Sequence, residues 1–151
     1  MWKKMAIGLM ILWIVSISYI GYKVKYGNAK KVDTRVGITL LPSERDLILG
    51  EMRLLLEGLQ GIISGLSNGN FEEVKVSARG NGMAMAQDVN PALMLKLPMD
   101  FKAIGIGVHK SFDILADNIK GKDSRAILGE VASIMDSCIG CHATFKLEIE
   151  R

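Results

Sequence analysis

Cys138-Ile139-Gly140-Cys141-His142 stands near the carboxyl end of a 151-residue chain and holds both of its cysteines. On a helix, residues three apart share a face, so the two thiols can bond to two vinyl groups of one porphyrin. His142 follows directly, four residues on from Cys138, and its imidazole can approach an iron from one side. This pentapeptide is the pattern of c-type haem attachment. Rival chemistries fit less well. A thioredoxin-like redox pair needs a βαβ setting, which the pattern around the motif lacks. A zinc site needs a second pair of ligands, and the chain offers none at the usual spacing.

Those residues need a helix, and the sequence writes one. Ile127, Val131, Ile134, Cys138, Cys141 and Phe145 alternate by four and three behind an Asp123 cap, which puts both cysteines on the inward seam. Upstream, Ser43-Glu44-Arg45-Asp46 reads as a capping box. Behind it Ile48, Met52, Leu55, Leu59, Ile62 and Leu66 form a seam that ends at Asn68-Gly69-Asn70. A second helix starts at Phe71 with Asn70 as cap. Phe71, Val74, Ala78, Met85 and Val89 fit one face, interrupted by Gly80-Asn81-Gly82, and Asn90-Pro91 reads as a further break. Leu97-Pro98 opens a third helix, with Phe101, Gly105, Val108, Phe112, Leu115 and Ile119 inward, and Gly121 stops it. Helices of about 20 residues joined by short loops predict an all-α, antiparallel up-down-up-down four-helix bundle over 43–151.

Before the bundle, residues 23–42 read as a linker or extended arm, and 1–22 as a membrane segment. Met5 to Tyr22 is free of charge and follows Lys3 and Lys4. As a helix it reaches ~27 Å, enough to cross a hydrocarbon core, and the lysines keep the amino terminus cytoplasmic. The same features suit a cleaved secretory signal, with Gly27-Asn28-Ala29 as a late cleavage site. Either way the body is exported to the periplasmic side, anchored in the first case and soluble in the second. The formal charge of +3 owes much to four lysines in the first 25 residues, a stretch without an acid. The rest is near neutral, so nucleic acid is excluded as a partner.

A haem motif at the carboxyl end of a four-helix bundle resembles the cytochrome c-prime family, the class II c-type cytochromes. The likeness covers about Ser43 to Lys146. It includes the continuation Ala143-Thr144-Phe145-Lys146 after the motif, and Leu97-Pro98 with Phe101 at the third helix. The resemblance implies one covalent haem c on Cys138 and Cys141, with His142 as proximal iron ligand. Family members close the other face with a methionine of the first helix or leave it open. Met52, inward and about two turns into that helix, is the expected distal ligand; an ordinary core thioether is the plain alternative. Lys146 is a candidate haem-pocket cation, or else a solvated charge at a helix end. His109, the other histidine, lies off the main seam. Bis-histidine ligation through it is the lesser alternative, since the family takes its distal residue from the first helix, and an exposed position or the edge of the core is expected. Gly58, Gly61 and Gly65 make a small-residue stripe that suits packing within the bundle, or the symmetric homodimer of the family.

With no acid/base pair or nucleophile constellation in the sequence, the iron is the one reactive centre it offers. The expected function is therefore electron carriage between redox partner proteins of a respiratory chain, without enzymatic turnover. The alternative is a five-coordinate cytochrome c-prime that binds NO or CO. Met52 separates the two.

Overall fold

The computed structural model describes residues 2–26, 33–86 and 90–150. The described chain is mostly helical. It comprises α1 (Trp2–Tyr26), β1 (Val36–Leu40), α2 (Pro42–Ser67), α3 (Phe71–Gly80), α4 (Pro91–Lys96), α5 (Met99–Asp117), α6 (Ser124–Thr144) and β2 (Phe145–Ile149). It divides into two units, Met1–Asp33 and Thr34–Arg151. In the first unit α1 is a single helix. Its span Trp2–Lys25 has a mean hydropathy of 1.9, long and apolar enough to cross a membrane by length and composition. It runs four residues past Tyr22, where the sequence reading ends the segment.

The second unit is organised by two apolar clusters. In one, Leu59 and Ile62 of α2, Val74 and Ala78 of α3, Val108, Phe112 and Leu115 of α5, and Ile127, Val131 and Ile134 of α6 converge. Phe112, Leu115, Ile62, Val74 and Ile127 are fully buried, each worth roughly 1.5–3 kcal/mol against exposure. These are the seam positions of the sequence. The other cluster joins Ile38 and Leu40 of β1, Ile48 of α2, Leu93 and Leu97 around α4, and Phe145 of β2.

Local signals set several helix ends as expected. Asn70 Oδ1 accepts from the Glu73 amide at 3.1 Å, and Asp123 Oδ1 from the Ala126 amide at 2.8 Å. Gly69 and Gly121 carry positive φ, 66° and 80°. Other ends differ. Helix α2 begins at Pro42, so the cap is Leu41 and not Ser43. Glu44 closes half of a box by accepting from the Leu41 amide at 2.8 Å, and proline supplies the first turn. The second helix has 10 residues, because Gly80-Asn81-Gly82 ends it; Met85 lies in the turn that follows. Asn90-Pro91 starts α4 rather than merely breaking a helix: Asn90 Oδ1 accepts from the Ala92 amide at 2.9 Å. Val89 and Gly27-Asn28-Ala29 lie outside the described residues.

The larger difference is the strand pair. The predicted linker contains β1, which pairs in parallel with β2 from Val36↔Phe145 to Leu40↔Ile149. Phe145, read as the last seam residue of the fourth helix, opens β2 instead. The pairing ties the residues entering α2 to those leaving α6.

Extended backbone contact links α2 with α3, α3 with α5, and α5 with α6. Among the described residues, none of that extent links α2 with α6. The glycine stripe explains the closest of these approaches. A Cβ on Gly58 would overlap the Asn81 amide, one on Gly61 the Ser77 hydroxyl, and one on Gly65 would stand 2.8 Å from Val74 Cγ2. The stripe is thus filled by α3 of the same chain, and gives no support to a homodimer.

Candidate functional site

A cleft of about 1090 Å³, counted to its open mouth, lies among α2, α4, α5 and the end of α6. Helix α6 brings Cys138, Cys141 and His142 to it, and α2 brings Met52 and Glu51. Helix α5 contributes Phe101, Ile104, Gly105, Val108 and His109. Most of these side chains are apolar, so the walls exclude water from whatever lies between them.

The two thiols sit at the join of the two clusters. Cys138 packs against the four-helix cluster and Cys141 against the strand-side cluster, both half-buried. They are free cysteines. Burial pushes both thiols above their ordinary range, and Cys138 adds to the effect on Cys141. A reactive redox pair needs the reverse, a thiol lowered toward thiolate. Among the described residues no three His, Cys, Asp or Glu side chains gather around one point. The two thiols line one cleft together.

His142 is exposed and lines the cleft, and also a second opening beyond it. Met52 is half-buried and lines both as well, so the two expected iron ligands share these surfaces. The second opening is rimmed by Arg35, Arg45 and Lys146. Lys146 belongs to β2 and not to a continued helix, and its Nζ meets Glu148 Oε1 at 2.8 Å. Arg35 donates to the His142 carbonyl at 3.4 Å. These cations suit carboxylates at the edge of a ligand.

His109 departs from expectation. It is buried, 6% exposed, and its Nδ1 lies 2.8 Å from the Asn81 carbonyl oxygen. A carbonyl only accepts, so Nδ1 carries a proton and Nε2 is the nitrogen left for a further partner. Glu51 lines the same cleft; burial pushes its carboxyl up, partly offset by nearby His109. The sequence reading does not report that Glu51 and His109 line one cleft. Glu51 stands next to a seam position, but His109 is located by α3 packing on α5, which no local pattern reports.

Two ionic groups hold the surroundings. Asp113 accepts from the Met83 amide at 2.8 Å and from Arg79 at 2.6 Å, which fastens the turn after α3 to α5. The Met83 amide, then Arg79, holds the Asp113 carboxyl below its usual range despite some desolvation. On the α4 side, Lys96 and then the Leu41 amide hold the Glu44 carboxyl low. No family model, curated protein or solved structure matches the chain.

Proposed function

We propose that the chain is a c-type cytochrome that carries electrons on the outer side of the cytoplasmic membrane, resembling the class II cytochromes. In this reading α2, α3, α5 and α6 are a four-helix bundle opened along the α2–α6 seam, and α1 is its retained anchor. The observation that carries the reading is that both half-buried thiols of the Cys-x-x-Cys-His motif face one apolar cleft that His142 also lines.

The residues fit a haem. Cys138 and Cys141 would hold it by thioethers, and His142 and Met52 would offer an imidazole and a thioether to its iron. A haem held there supplies one-electron exchange. Ile104, Val108 and Leu55 keep water from the site, which disfavours extra charge and limits reorganisation. Lys146, with Arg35 and Arg45, would balance the acidic groups of a haem at the second opening. Redox partners of a respiratory chain would meet the exposed His142 edge.

The test is expression of the full chain in cells with haem-attachment machinery. A membrane-bound band that keeps peroxidase staining after denaturation, with a reducible low-spin spectrum, is the expected result. A colourless chain sinks the reading. A high-spin iron that takes up CO or NO replaces electron carriage by gas binding.

A further inference from the structure

The His109 ring is held by a cradle with no evident purpose in the core. Its Nδ1 proton is taken by the Asn81 carbonyl. Asn81 is itself buried, and its amide donates to the Ser77 carbonyl at 3.2 Å over the bare face of Gly58. The next residues are fixed through Gly82 against Asp113, and through the Met83 amide to the same carboxylate. The ring is thus set in one orientation and one tautomer.

The Glu51 and Asp113 carboxyls lie near enough to feel the ring, while its other nitrogen makes no hydrogen bond within the described residues. Among them no sealed side-chain nitrogen or oxygen lacks a partner either, so Nε2 opens onto the cleft that His109 lines. An imidazole whose far N–H is tied to a backbone carbonyl is how proteins orient a metal-ligating histidine. One turn earlier on the same wall, Gly105 has nothing within 4 Å of where its Cβ would stand, which leaves room beside the ring.

We infer that His109 is a second iron-ligating side chain of this cleft, taking the face opposite His142 whenever Met52 does not hold it. The inference rests on the haem reading. It also makes a separate claim: losing Met52 leaves the iron closed, not open to gases.

The experiment compares full-length wild type, Met52→Ala, His109→Gln and the double variant. Glutamine keeps an N–H for the Asn81 carbonyl but offers no imidazole nitrogen. Each form is first assayed for covalent haem as its pyridine complex, then for ferric spin state by paramagnetic resonance. Met52→Ala is expected to lose the sulfur-to-iron charge-transfer band yet stay low-spin. The double variant is expected to turn high-spin, to bind CO about tenfold or more tightly than Met52→Ala, since no internal ligand must be displaced, and to regain low-spin character with free imidazole. A wild type without the sulfur band that loses low-spin character in His109→Gln alone supports the same conclusion. Haem present and Met52→Ala already high-spin overturns the inference while leaving the cytochrome reading intact. Absence of covalent haem from every form overturns both.

Discussion

Phe101 and Phe145 meet edge to face, with ring centroids 5.5 Å apart and planes at 90°. The first lies in the opening turn of α5 and the second begins β2, so the contact joins the floor of the cleft to the strand that leaves it. Such a pair adds about 0.5–1.5 kcal/mol to the area it buries.

Phe145→Ala should therefore cost about 3–5 kcal/mol, the range for removing a buried phenylalanine. Chemical denaturation of the domain measures it. Phe145→Leu, which keeps most of the apolar bulk and loses the edge-to-face geometry, should cost clearly less, about 1–2 kcal/mol. A Phe145→Leu variant as stable as wild type would show that the ring geometry contributes nothing.

Glycine substitutions on the helices should divide by sign. Gly58→Ala drives a methyl into the Asn81 amide and should destabilise by about 1–3 kcal/mol. Gly129 of α6 has nothing within 4 Å of where a methyl would stand, so Gly129→Ala should stabilise by roughly 0.5–1 kcal/mol through helix propensity alone. Thermal melts of the two variants against wild type decide it. A neutral Gly58→Ala would mean that α3 does not rest on α2 as described.

Acid should loosen the turn after α3. The Asp113 carboxyl is held low by the Met83 amide and by Arg79, so its contribution is present above the ordinary carboxylate range and is lost as pH falls through the lowered value. Asp113→Asn should cost about 1 kcal/mol at neutral pH, and the difference from wild type should shrink toward low pH. Denaturant midpoints measured across the acid range test this. A gap that widens on acidification has the wrong sign.

Single thiol variants should split attachment. Cys138→Ala and Cys141→Ala should each keep at most one thioether, with the pyridine spectrum shifted from that of a doubly attached haem. The double alanine variant should lose its cofactor on denaturation. Haem retained covalently in the double variant would place the attachment elsewhere.

What the sequence reveals is what neighbouring residues decide among themselves. The Asn70 and Asp123 caps, the α2 seam and the helical phase of Cys138 and Cys141 all follow from spacing within one element. Leu41 displaces Ser43 as cap because Pro42 already suits the first turn, a local competition that the motif alone misjudges. The strand pair is hidden because Val36 and Phe145 are joined only in the folded chain. His109 is hidden for the same reason. Its spacing places it beside the α5 seam, and only the Asn81 carbonyl, delivered by α3, turns that position into the interior.

The parallel ribbon also dictates an order of events. Its partners are separated by roughly a hundred residues, so its closure carries a large entropic penalty and comes late. During synthesis β2 follows directly behind Cys141 and His142, and so emerges after β1 and the helices between them. Until that last segment is present, the ends of α2 and α6 have no strand to bind them, and the thiols stand in an unlatched groove. Assembly thus has a natural interval before the exit strand ties the start of α2 to the end of α6.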